Sequence, residues 1–261
     1  FNYYLKGIGD GNFDEVYAFQ TGSNQWKSYA TWPPKAVTVK NLYLQPDKSL
    51  SFNKPVSAKG TVEYISDPAH PVPYRSLPIQ ATYGPKSRWR TWQVEDQRFV
   101  YNRPDVACFV MDSLTEDLTV TGKVIAHLVA ATTGTDADWI VKLIDVYPDT
   151  DPVDLEMSQY QLPVAMEVFR GRFRKSFSYP LPMVPGKAEA INIDLHIINH
   201  TFKKGHRIMV QVQSSWFPVI DRNPQKFIPN IFEAAESDFI TTTQSIRCNS
   251  IEDSYIELPV Q

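Results

Sequence analysis

The 261-residue chain is 43% hydrophobic and 13% aromatic, enough to bury a large core and too apolar for a disordered segment. Its 26 basic and 29 acidic residues leave a net charge of −3, so no basic field is available for nucleic acid or an anionic membrane surface. No apolar run approaches the roughly 18 residues of a membrane-spanning helix.

The chain opens FNYYLKG, where Phe1, Tyr4 and Leu5 have helical spacing and Gly7 suits the left-handed residue that ends a helix. An aromatic-faced last turn seldom begins a domain. Residues 1–15 therefore read as the remnant of an upstream domain with a linker (IGDGN), and residues 16–261 as the domain proper. Residues 16–21 (VYAFQT) and 37–44 (VTVKNLYL) have strand character, with a polar, Trp-containing turn region between them. Prolines recur from Pro46 to Pro104, which predicts loops and short extended pieces. Residues 105–147 lack proline and hold two strong strand patterns. In 119–130 (TVTGKVIAHLVA), Val124, Ala126, Leu128 and Ala130 share one face; 139–147 (WIVKLIDVY) is apolar apart from Lys142 and Asp145.

Residues 188–195 and 207–212 are the remaining clear strands. Helical signals are weak: 161–174 is expected to hold a turn or two, limited by Pro163 and Gly171, and 229–235 a single turn opened by Pro229. Short strands, proline-rich connections and no βαβ rhythm predict an all-β chain. The expected architecture is an antiparallel two-sheet jelly-roll sandwich, galactose-binding-like, with little helix.

Chemical motifs are sparse. There is no G-x-S-x-G elbow, no P-loop and no G-x-G-x-x-G, so no catalytic residue and no cofactor is assigned. His196, His200 and His206, with Asp194, could ligate a metal only if DLHIINHTFKKGH were helical; it reads as strand–turn–strand, so no metal site is assigned. Asp149, Asp151, Asp154 and Glu156 read as a solvated acidic loop. Cys108 and Cys248 are expected as separate free thiols. Arg170, Arg172 and Arg174 alternate, and an extended segment would turn them together towards Asp136, Asp138 or Asp145 as structural ion pairs. Aromatic, proline-stiffened loops at 67–92 and 216–224 suggest a surface that meets a partner, with Trp89, Trp92, Trp216 and Phe217 as interface candidates.

Five blocks then carry a resemblance: DPAHPVPYR, WRTWQVEDQRFVYNRPDV, TGTDADWIVKLIDVYP, YQLPVAMEVFRGRFRKSF and KKGHRIMVQVQSSWFPVIDRNPQ. In this order they resemble the C-terminal domain of the family that includes α-amino-acid ester hydrolases, glutaryl cephalosporanic acid acylases, bacterial cocaine esterase and X-Pro dipeptidyl-peptidases. The resemblance implies a parent serine hydrolase with upstream α/β-hydrolase and cap domains in the same chain, acting on a small acyl ester, amide or peptide. It also implies a secreted or periplasmic setting and leaves a homo-oligomer open. The triad would lie upstream, so none of it is carried onto this sequence. On this reading the domain is non-catalytic and walls the substrate cleft through the 67–92 loop, with Tyr74 and Arg75 nearest the cleft. The FNYYLKG segment is expected to emerge on the same side as that loop. Two readings of other classes remain: a carbohydrate-binding jelly-roll module, and a free-standing enzyme with an unrecognised site.

Overall fold

Strands make up 39% of the computed structural model, which describes residues 1–261, and helix 10%. A short helix α1 (Asn2–Lys6) is closed by Gly7 at φ 65°, the left-handed conformation that glycine adopts without steric cost. A hairpin follows, of β1 (Val16–Gln20) and β2 (Gln25–Tyr29). Next come β3 (Thr38–Leu44), β4 (Leu50–Ser51) and β5 (Thr61–Ser66). The proline-rich stretch carries helix α2 (Arg98–Tyr101) and leads into β6 (Val106–Val110), β7 (Leu118–Thr132) and β8 (Asp138–Val146). The chain ends with β9 (Gln161–Arg170), β10 (Glu189–Phe202), β11 (Arg207–Gln213), β12 (Thr242–Arg247) and β13 (Tyr255–Val260).

One sheet of seven strands is built around β7. Strand β10 lines one edge of β7 along its length; β13 and β12 share the other, extended by β3–β4 and β5. The second sheet has four strands in the order β6–β11–β8–β9. Every pairing between the named strands is antiparallel, which gives the expected two-sheet sandwich. The core between the sheets takes alternate residues: Val124, Ala126, Leu128 and Ala130 of β7 face Trp139, Val141 and Leu143 of β8 and Ile208, Val210 and Val212 of β11.

Strand β8 is buried at every position, so its outer face is covered as well. Ile140 and Lys142 point away from the core into a second layer supplied by residues 67–104 and 214–220, and Ile144 on the same face packs with Val146, Met209 and Val110. This explains why the run from 139 to 147 reads as almost continuously apolar.

The helical expectation at 161–174 is corrected: the segment is β9, followed by a 3-10 turn at Gly171–Phe173. Pairing with β8 along its whole length overrides local preference, and Pro163 is tolerated because β9 is an edge strand whose register shifts beside it. At 229–235 the turn is the 3-10 piece Ile231–Glu233, capped by the Asn230 side chain.

The strand end at Arg170 also breaks the arginine alternation. Arg172 Nε donates to Asp136 Oδ2 at 2.8 Å, and both groups are buried. Arg170 instead pairs with Asp221, and Arg174 with both oxygens of Glu189 at 3.0 Å. Asp138 accepts from Asn223 Nδ2 at 2.9 Å, and burial pushes its carboxyl up to about 7. Asp145 faces the core side and takes histidines. Cys108 is half-buried in β6 and Cys248 buried, both as free thiols. Arg172→Ala leaves Asp136 buried without its cation, and the expected loss, read by urea unfolding, is about 3–5 kcal/mol.

Candidate functional site

The outer face of the four-stranded sheet carries polar residues at its centre. Gln211 and Lys142 are register partners, and Gln213 lies beside Ile140. Residues 67–104 cross this face as a strap. Its backbone is tied to the turn after β11: Tyr74 N–H donates to the Phe217 carbonyl at 3.0 Å, and Phe217 N–H to the Val72 carbonyl at 2.9 Å. Val72 N–H also donates to Ser215 Oγ at 2.8 Å.

Aromatic packing locks the strap from within. Tyr74 meets Trp92 edge-on at 5.8 Å, Trp92 meets Trp216 at 5.8 Å, and the group sits on Ile140. Arg75 Nε donates to Glu95 Oε2 at 2.5 Å, again inside. Tyr74 and Arg75 are only 6% and 3% exposed, so neither side chain can form the outer wall of a cleft. They set the shape of that surface from beneath. Of the interface candidates, Trp216 is buried and Trp92 half-buried, while Trp89 and Phe217 remain exposed.

Lys142 is fully buried and its amine has one hydrogen bond, to Gln97 Oε1 at 2.8 Å, with the Trp216 ring at 5.5 Å. The strap's buried carboxylate, Glu95, is already taken by Arg75. Burial without a counter-ion pulls the Lys142 amine down from 10.5 to about 7. Nothing in the run WIVKLIDVY marks this lysine as interior; the missing signal is the strap itself.

A second polar cluster closes the far end of the sandwich. Asp145 receives His200 Nε2 at 3.2 Å on one oxygen and His206 Nδ1 at 2.8 Å on the other. His200 Nδ1 lies 2.8 Å from Thr21 Oγ1. Hydroxyl, imidazole and carboxylate thus stand in relay order, and the hydroxyl also donates to the Asn199 carbonyl at 3.1 Å. Thr21 N–H donates to the Asn199 carbonyl at 2.9 Å, and the Cβ position of Gly22 would lie 2.0 Å from the Thr201 oxygen. The cluster pins the β1–β2 hairpin to β10. His196 turns elsewhere, to Glu167 at 2.6 Å, so the three imidazoles do not converge. In the acidic loop, Asp151 Oδ1 is spent on the backbone N–H groups of Val153 and Asp154.

Strand β11 begins beside the pin and ends at the strap, and its seven residues span roughly 23 Å. The Tyr74–Phe217 part of the strap and the β1–β2 hairpin therefore stand towards opposite ends of β11. Within the strap, Leu77 and Ile79, with Phe217, Pro218, Pro71 and Pro73, bound a mainly apolar groove of about 560 Å³ that His70 and Arg103 also line.

Folding drops the Lys142 amine below its unfolded value, so between about pH 7 and 10.5 the unfolded chain holds the extra proton. Stability is expected to rise with pH across that window and to be flat in this term below it. Lys142→Met should remove the slope and add about 1–4 kcal/mol near neutral pH, seen in urea melts on either side of neutrality.

Comparison with known proteins agrees with this architecture. Residues 14–257 match the family model described as the X-Pro dipeptidyl-peptidase C-terminal non-catalytic domain. Cocaine esterase of Rhodococcus sp. (strain MB1 Bresler) is 29% identical over 270 residues, covering 100% of this chain and 44% of the esterase. Among solved structures, an aminopeptidase from the marine sediment archaeon Thaumarchaeota archaeon superposes with a TM-score of 0.95 at 42% identity, over 99% of this chain and 42% of the aminopeptidase. An α-amino acid ester hydrolase superposes with a TM-score of 0.94 at 45% identity, over 100% of this chain and 43% of the hydrolase. The chain thus spans less than half the length of each of these relatives. It belongs to the family of X-Pro dipeptidyl-peptidase C-terminal non-catalytic domains.

Proposed function

We propose that the chain is the accessory domain of a larger serine hydrolase, and that upstream α/β-hydrolase and cap domains cover its strap face and its hairpin. The parent's substrate is then a small acyl ester, amide or peptide. The observation that carries this reading is apolar surface in a family of non-catalytic domains. Leu77 is 71% exposed, and Tyr17 and Trp26 on the hairpin are 62% and 58% exposed. Residues 1–15 serve as the connection: α1 buries nothing, and its Tyr3 and Tyr4 pack on each other and on Phe13 and Gly11 of the same segment. The relatives' remaining length exceeds that of this chain, and a domain of that size is wider than the roughly 23 Å between hairpin and strap. Tyr74 and Arg75 act on the cleft indirectly, by holding the strap that carries Leu77 and Ile79.

The carbohydrate-binding alternative is weakened by the hairpin's own geometry. Tyr17 and Trp26 stack at 5.1 Å with their planes 16° apart, so one face of each ring is spent on the other instead of lying in a shared plane.

The isolated chain is expected to leave p-nitrophenyl esters unhydrolysed. Phe217→Asp and Trp26→Asp should each weaken co-purification with a separately expressed upstream portion without shifting the chain's own Tm. Undiminished retention by both variants would defeat the docking assignment, and ester turnover blocked by a serine-directed phosphonate would defeat the non-catalytic one.

A further inference from the structure

The strap covers only part of the outer face of the four-stranded sheet. Where it stops, beyond α2, a cleft of about 310 Å³ opens. Its floor is apolar and comes from three adjacent strands: Val110, Met209 and Val146. Its walls are polar. Arg98, Asn102, Arg207, Gln159 and Gln161 line it, Gln161 tied by its backbone to Asp96 and Gln97 just before α2, and no carboxylate is among the lining residues.

These wall groups are mostly uncommitted. Asn102 and Gln161 make no side-chain hydrogen bond within the chain, although Gln161 is 5% exposed and its Oε1 is buried without a partner. Arg207 has only Asp149 at 3.8 Å, a residue that is itself 82% exposed. Arg98 is held by Asp96 at 2.5 Å. Arg103 shows the contrast: both its Nε and its Nη2 are closed on Asp105, at 2.8 and 2.7 Å. The Arg207 guanidinium, the Nη groups of Arg98 that Asp96 leaves free and the Asn102 amide have no acceptor within hydrogen-bond reach. Above an apolar floor these donors match an anion that carries an apolar body, while Gln161 Oε1, an acceptor, plays no part in holding it. A bare inorganic anion would leave the floor unused. A neighbouring cavity of about 520 Å³ shares Tyr101, Asn102 and Val110 with the cleft and continues the floor towards Cys108, which gives such a body room.

We propose that this cleft binds small carboxylic acids with an apolar body, the carboxylate between Arg207 and Arg98 and the body on Val110 and Met209. The site is separate from the strap groove and does not depend on the docking reading. Planar guanidinium groups suit the carboxylate, and the buried floor rewards the hydrocarbon.

The test is a titration of the chain with 3-phenylpropionate, followed by amide NMR shifts. Its neutral analogue 3-phenylpropanamide and inorganic phosphate run as parallel arms. A ligand of this size predicts saturation in the millimolar range, with shifts at Val110, Val146 and Met209. The neutral amide and phosphate should each bind at least about tenfold more weakly, and Arg207→Ala should weaken the acid by a similar factor. Arg90→Ala, outside the cleft, should leave binding unchanged. Should Arg207→Ala lower the Tm, Asn102→Ala serves as the second variant, with weaker acid binding expected. Three results would overturn the assignment: equal binding of acid and amide, phosphate binding as tightly as the acid, or shifts that fail to saturate or fall in the groove at Leu77 and Phe217.

Discussion

Strand β8 has to be covered twice, and most of the molecule's irregular structure follows from that requirement. Its inner residues Trp139, Val141 and Leu143 are satisfied by the sandwich core. Its outer residue Ile140 would face water if the domain ended at its two sheets. The 67–104 strap supplies the second cover, and a long loop can do this only by bringing partners for the polar groups it meets. Gln97 meets Lys142, Arg75 meets Glu95, and the turn at Ser215 and Phe217 ties the strap's backbone. The prolines that deny this segment regular structure also restrict its unfolded conformations, which lowers the entropy lost when it is laid down.

Strand periodicity was legible on β7, and went unread on β5, where Val62, Tyr64 and Ser66 are buried and Glu63 and Ile65 exposed inside a proline-rich stretch. The pattern of 119–130 gives the correct inward set on β7, because β7 alternates as a sheet strand against a single core. It fails at β9, where Pro163 and Gly171 look like brakes on a helix although the edge position and shifted register absorb the proline. Strands β6, β12 and β13 carry little signal of their own and are held by pairing with partners far away in sequence. The strap was legible as an irregular aromatic stretch, but not the direction in which its aromatics turn. Tyr74 and Trp216 pack inward because Ile140 offers an apolar platform, and that platform exists only after β8 and β11 have paired.

Charge was harder to read than pattern. Arg172 and Asp136 meet, yet the neighbouring arginines find Asp221 and Glu189, residues that no local spacing connects to them. Asp145 was grouped with arginine partners and instead holds two histidines. His196, His200 and His206 lie close together in sequence without forming one cluster. In the fold their spacing reflects a strand, a turn and the next strand, with the carboxylate arriving from a different sheet.

The attachment of the β1–β2 hairpin has a mechanical consequence. Thr21 runs parallel to His200, and two backbone hydrogen bonds, Thr21 N–H to the Asn199 carbonyl and Thr201 N–H to the Thr21 carbonyl, hold it there. Tension arriving from the N-terminal side and directed along β1 loads both bonds together in shear instead of peeling them one after the other. Behind them stands the imidazole of His200, braced against Asp145 on β8. A pull on β1 is thereby passed, through His200 and Asp145, to the most deeply buried strand of the sandwich.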